Sequence, residues 1–124
     1  MSKTTIFWAV VGLLIVGGIA GTWYMKTLPG KYDGLAQCLT EKGAKFYGAF
    51  WCPHCQEQKR MFGNSAKLLP YVECSNSDQK TQTQICIDMK IEQYPTWIFA
   101  DGSKLTGEKP PKELAEKAGC EFPQ

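Results

Sequence analysis

The chain opens on an unbroken apolar run. Residues 6–25 carry no charge, and at about 1.5 Å per residue a helix of that length spans the roughly 30 Å hydrocarbon core of a bilayer. Trp23 and Tyr24 suit the interfacial belt, and Lys26 ends the run. A membrane anchor over residues 1–26 is the favoured reading. A cleavable signal peptide competes with it, because Gly18-Ile19-Ala20 offers small residues where a signal peptidase cuts. Gly17 and Gly21 have helix-dimer spacing, which carries little weight where glycine is common.

Beyond residue 26 the pattern becomes that of a mixed α/β unit. Leu28-Pro29-Gly30 marks a short linker, residues 27–30, and a domain is expected over residues 31–124. Asp33 stands as N-cap of a helix over residues 34–42, with Leu35, Cys38 and Leu39 on one face and Gly43 at its end. Residues 44–51 are aromatic-rich and too apolar for a surface strand, which predicts a buried central strand. Pro53 suits the first turn of a helix that runs to about Phe62, where Gly63-Asn64 breaks it.

A short helical piece is expected at residues 65–69 and a second strand at 70–74. After a polar loop come a helix over 81–90 and a third strand at 96–100. The Asp101-Gly102 turn leads into a fourth strand at 104–106, and a last helix starts at Pro110 or Pro111 and ends at Gly119. Right-handed crossovers pair the first two strands in parallel, and the final hairpin adds antiparallel strands on the other side. The expected fold class is α/β, a mixed four-stranded sheet with helices on both faces, preceded by a transmembrane helix.

Composition narrows the partners and the compartment. Setting aside Lys3, the remainder holds thirteen basic and twelve acidic residues, a balance that gives no reason to expect nucleic acid. The positive-inside rule, counted over Lys3 before the span and Lys26, Lys31, Lys42 and Lys45 after it, favours a cytoplasmic domain. Six cysteines in so short a chain point the other way, since such usage is heavy for a reducing cytosol and ordinary for an oxidising compartment. The cysteines weigh more, so the domain is expected on the extracytoplasmic side.

Cys52-Pro53-His54-Cys55 is the candidate chemistry. A C-x-x-C where a buried strand meets a helix N-terminus signals dithiol exchange, because the helix dipole and free amides there favour a thiolate. Cys52 takes the place of the nucleophile. Cys55, less than one turn further on, is placed to attack a mixed disulfide and release the substrate. Half a zinc site, completed by Cys74, Cys86 or His54, is the competing reading, but structural zinc sites usually supply a second closely spaced pair. His54 either favours the Cys52 thiolate or is a solvated helix residue.

Tyr94-Pro95-Thr96 supports the same reading. An X-Pro bond opening a strand can be held cis, which would turn the Tyr94 backbone toward Cys52 to bind an extended substrate. A trans proline that merely begins an edge strand is the alternative. Cys74 and Cys86 suit a short-loop disulfide, either structural or a second redox pair relaying electrons to a partner. Cys38 and Cys120, one in the first helix and one past the last, are a possible further pair.

The segment Phe50-Trp51-Cys52-Pro53-His54-Cys55, with Tyr94-Pro95-Thr96 further on and Gly102 and Gly107 in the terminal hairpin, resembles the thioredoxin superfamily. More narrowly, residues 43–55, with Lys59, Phe62-Gly63 and 70–74, resemble the thioredoxin-like domain associated with bacterial and plant homologues of vitamin K epoxide reductase. The resemblance covers roughly residues 31–120. It implies a thioredoxin-like fold, a cis Pro95, substrate contacts at Trp51, Tyr94 and Pro95, and a membrane quinone-reductase partner that reoxidises the dithiol. No cofactor beyond the dithiol and no metal are implied.

The Pro-His dipeptide is shared with the disulfide oxidase DsbA, a strong oxidant. Many relatives carry a buried carboxylate six residues before the first cysteine, where this chain has Phe46. Glu57 is a candidate substitute proton acceptor, although a solvated helix position is its simpler role. The expected function is a membrane-tethered thiol–disulfide oxidoreductase donating disulfides to cysteine-containing proteins. A reductase or isomerase using the same residues, and a non-catalytic disulfide-stabilised or zinc-binding module, are the alternatives.

Overall fold

The computed structural model describes residues 1–123; Gln124, the last residue of the expected domain, lies outside the described residues. The apolar run forms α1, Lys3–Thr27, capped by the Ser2 hydroxyl, which accepts from the Thr5 amide. Its mean hydropathy of 2.0 and its length make it apolar and long enough to cross a membrane, and none of its residues is buried against the domain. Thr22 and Thr27 return their hydroxyls to carbonyls one turn back, so the helix keeps Thr27, the first residue assigned to the linker.

The linker is short and held. Asn64 donates to the carbonyls of Met25 and Leu28 at 3.0 and 3.3 Å, and Lys67 reaches the Lys26 carbonyl. Gly30 lies so close to Ser65 that any Cβ there would overlap it, and the buried Ser65 hydroxyl accepts from the Tyr32 amide at 2.9 Å. These contacts start α2, Asp33–Glu41, one residue earlier than expected. Asp33 is therefore inside the first turn; Tyr32 holds the N-cap position without a side-chain bond, and the buried Asp33 Oδ1 has no hydrogen-bond partner.

Four strands follow: β1 Lys45–Gly48, β2 Tyr71–Glu73, β3 Thr96–Ile98 and β4 Lys104–Thr106. They lie in the order β2-β1-β3-β4, with β1 parallel to β2 and antiparallel to β3. The central strand is shorter than the aromatic run because the chain turns after Ala49, whose carbonyl accepts from the Cys52 amide at 3.1 Å. Then α3, Pro53–Phe62, begins at the proline and ends at Gly63, leading into a 3-10 segment, Gly63–Leu68.

Two apolar clusters form on the sheet because alternate strand residues point to opposite faces. Phe46 stacks on Trp97 at 4.9 Å in the larger cluster, with Leu35, Leu39, Phe62 and Leu114 from α2, α3 and α5, Pro111–Ala118. Tyr47 and Ile98 face the smaller one, with Cys74, Cys86 and Ile91. The helix expected over residues 81–90 contracts to α4, Gln84–Asp88. Ser75 pairs with Gln82 as an isolated bridge and the Thr83 amide bonds the Cys74 carbonyl, which keeps residues 81–83 out of the helix; Lys90, at φ 56°, ends it.

Gln58 is fully buried on α3 and joins it to the segment before α5. Its Oε1 accepts from the Lys109 amide at 2.8 Å and the Trp97 indole at 3.3 Å, while Nε2 donates to the Lys109 carbonyl at 2.9 Å. Gln58→Leu leaves those three groups without partners inside the core. We expect a loss of about 2–4 kcal/mol in chemical denaturation of the full chain, read as a lower midpoint at unchanged slope.

Candidate active site

The junction of β1 and α3 sets the two thiols. Cys52 occupies the N-cap of α3 and Pro53 its first turn, where a missing N–H costs nothing. Both Cys52 and Cys55 are free and buried, at 6% and 1% exposure, so what can reach them is decided by the few groups around them. The Cys52 side chain makes no cap bond to the helix; its thiol points to the Tyr94 carbonyl at 3.8 Å. The Tyr94–Pro95 bond is cis and Pro95 is buried, so residues 42 and 43 positions beyond Cys52 meet it in space.

Exposed apolar surface adjoins the thiols. Trp51 is 40% exposed, its indole nitrogen fixed by a 2.8 Å bond to Ser75 and its ring set edge-on to Tyr94 at 6.2 Å. Phe50 is similarly exposed. Together with the Tyr94 carbonyl they place exposed apolar surface and a backbone acceptor beside Cys52. His54 is solvent-facing, and its Nδ1 lies 2.7 Å from Glu108, in the segment after β4.

Cys55 sits deeper. Its sulfur packs against Gly48 of β1, where an added Cβ would come to 2.8 Å from Sγ and 3.1 Å from the Tyr71 ring. Burial pushes the Cys55 thiol up to about 12; a hydrogen bond from the Ala49 backbone opposes this, Cys52 adds to it, and the charge of Lys59 opposes it. Tyr71 is also pushed up, first by burial and then by its bond to Glu73 at 2.5 Å. Glu73 in turn accepts from the amides of Phe50 at 3.0 Å and Ser75 at 3.1 Å.

Phe46 fills the interior, stacked on Trp97 and edge-on to Tyr71 at 5.1 Å, so no carboxylate stands at that position of β1. Glu57 pairs with Arg60 at 2.9 Å on the outer side of α3 and has no contact with either thiol's hydrogen bonds. The other four cysteines are bonded in two pairs, Cys38–Cys120 and Cys74–Cys86. With sequence separations of 82 and 12, chain entropy assigns them about 4.5 and about 3 kcal/mol. Cys74 and Cys86 are thus joined to each other, and among the described residues no three His, Cys, Asp or Glu side chains gather into one group.

A family model described as Thioredoxin matches residues 43–118, more than half of the chain and the whole sheet with α3 to α5. The chain belongs to the thioredoxin family. Thioredoxin-family membership accords with the mixed sheet, with the dithiol at a strand–helix junction and with the cis proline facing it. The chain is also similar to thiol-disulfide oxidoreductase LTO1 of Arabidopsis thaliana, at 51% identity over 94 residues, or 73% of this chain. It spans 25% of that relative's length.

Gly48, Tyr71, Glu73 and Glu108 were not given roles by the sequence. Tyr71 and Glu73 are two apart on one strand and so share a face, which was the available signal. Glu108 had none, because its pairing with His54 crosses 54 positions.

Gly48→Ala drives a methyl into the Cys55 side chain and the Tyr71 ring. We expect a loss of about 1–3 kcal/mol and a slower reaction of the dithiol with small disulfides, measured by unfolding and by stopped-flow fluorescence. A second outcome concerns pH. Because the folded Cys55 thiol lies above its ordinary value near 9, reduced folded protein holds a proton that the unfolded chain has lost between about 9 and 12. Stability of the reduced form therefore falls as pH rises through that window, and Cys55→Ala should flatten the slope in denaturant titrations at stepped pH.

Proposed function

We propose that the chain is a membrane-tethered thiol–disulfide oxidase that passes the Cys52–Cys55 disulfide to cysteine-containing proteins on the extracytoplasmic side. The carrying observation is the dithiol itself: two buried sulfurs at the α3 N-terminus, one facing the Tyr94 carbonyl beside an exposed Trp51. The relative's name, thiol-disulfide oxidoreductase, supports the reaction class. Proline and histidine between the thiols, Phe46 where a reductase would place its acid, and two further disulfides support the direction. The apolar α1 supports the tether, which gives an anchor over residues 1–26 ahead of the domain at 31–124.

In the forward reaction a substrate thiolate attacks Cys52 Sγ of the oxidised pair. The Cys52–Cys55 bond breaks, its electron pair goes to Cys55 Sγ, and that sulfur takes up a proton. A second substrate thiolate then attacks the substrate sulfur of the mixed disulfide and releases Cys52. Two electrons have moved from the substrate, which now holds a disulfide, to the two sulfurs of the enzyme. The Tyr94 carbonyl and the Trp51 and Phe50 surface hold the substrate strand over Cys52 during both attacks, and Pro53 and His54 complete that rim.

Reoxidation needs an acceptor for those two electrons, and a vitamin K epoxide reductase-like membrane quinone reductase is the partner class the resemblance supports. The Cys74–Cys86 bridge is fully buried against Tyr47, Ile91 and Ile98. That burial favours a structural bridge over a relay.

Two measurements test the function. Thiol trapping on isolated membranes should find Cys52 and Cys55 mainly oxidised at steady state, and a fully reduced pair would refute donation. Cys55→Ala should accumulate mixed disulfides through Cys52 with secreted proteins, visible as bands that collapse on reduction; their absence would mean Cys52 is not a working nucleophile.

A further inference from the structure

Lys59 is the unexplained charge beside the dithiol. It lies four residues after Cys55 on α3, hence on the same helical face one turn on. Its ammonium does not extend into water as a surface lysine usually does. It sits 3.7 Å from the centroid of the Tyr71 ring, over its face, and Lys59 is only half-exposed. A Cβ placed on Gly48 would meet both this ring, at 3.1 Å, and the Cys55 sulfur, at 2.8 Å, so ring and sulfur border the same point of β1.

Two tethers keep the seat in place. The Tyr71 hydroxyl is bonded to Glu73, and Glu73 is held by the amides of Phe50 and Ser75. Arg60, next in sequence, turns outward to Glu57 and does not compete. The titratable groups near Cys55 are thus Cys52 on its own helix, Tyr71 and Glu73 from β2, and Lys59 as the cation among them. The face of an aromatic ring attracts a cation, by more as water is excluded.

We propose that Lys59 is a positioning residue for disulfide exchange: its ammonium, seated on Tyr71, stabilises the Cys55 thiolate as that sulfur leaves Cys52. This rests on the reading of Cys52–Cys55 as an exchange pair and deepens it. The bond from the incoming sulfur to Cys52 forms, the Cys52–Cys55 bond breaks, and the departing pair of electrons resides on Cys55 Sγ, which later takes its proton from water. No proton passes through Lys59 in this step. A cation at the leaving sulfur thereby does, by charge, part of what a buried acid does by proton transfer in relatives that have one.

The test uses the full chain in nanodiscs, oxidised at Cys52–Cys55, and follows its reduction by dithiothreitol at pH 7 through tryptophan fluorescence. Lys59→Met keeps length and contact with the ring but removes the charge, and should slow the reaction about three- to tenfold. Lys59→Arg restores the charge and should react within about twofold of the unmodified chain. Equal rates for Lys59→Met and the unmodified chain, or an arginine variant as slow as the methionine one, would overturn the proposal. Lys59→Gln serves as a second charge-free variant should methionine perturb folding. The rate belongs to the disulfide itself, so a pair found reduced in membranes would refute oxidase function and leave the role of Lys59 standing.

Discussion

The close approach of α3 to β1 at Gly48 is the constraint on which the site depends. With no side chain at that position, the Cys55 sulfur packs on the central strand, and Cys52, less than one turn earlier, reaches the rim. The sheet order then has a chemical meaning. Having β2 on one side of β1 and β3 on the other brings Tyr71, with Glu73 bonded to its hydroxyl, to the Cys55 side and the Tyr94 carbonyl to Cys52. One sulfur is enclosed and the other faces an acceptor beside exposed aromatic surface, although they share a helix.

The elements were legible where hydrophobic periodicity and punctuation agreed. The apolar α1, the parallel β1–β2 pair, the Asp101-Gly102 hairpin, and the proline starts of α3 and α5 follow from local pattern. Helix limits were less legible where tertiary contacts chose them. Ser65 set the start of α2, and the Ser75–Gln82 bridge shortened α4. Around the site, Cys52, Cys55, Trp51, Tyr94 and Pro95 carried spacing that sequence can show. Gln58, Lys59, Glu73 and Glu108 did not, because a polar residue on an amphipathic helix or strand gives no sign of which partner the fold will bring.

The domain is braced at several levels. Cys38–Cys120 joins α2 to the end of α5, Cys74–Cys86 closes the loop beyond β2, and Asn64, Ser65 and Lys67 hold the exit of α1 against the 3-10 segment. That segment directly follows the C-terminal end of α3, whereas Cys52 caps its N-terminal end. The apolar α1 and the dithiol thus lie toward opposite ends of one ten-residue helix, about 15 Å apart along its axis. A small core gains most from such cross-links, since a domain of about a hundred residues has little stability to spare.

Electrostatics around the leaving sulfur supports the proposed direction of exchange. The interior that an acid occupies in many relatives holds the stacked Phe46 and Trp97, while a lysine seated on an aromatic ring stands near the leaving sulfur. We propose that this dithiol gives its disulfide away. Equilibration of the full chain with glutathione redox buffers, read by alkylation of Cys52 and Cys55, measures this most directly. Disulfide donation requires a reduction potential nearer the about −120 mV of a strong oxidant than the about −270 mV of a general reductase; a value at or below the latter would contradict it.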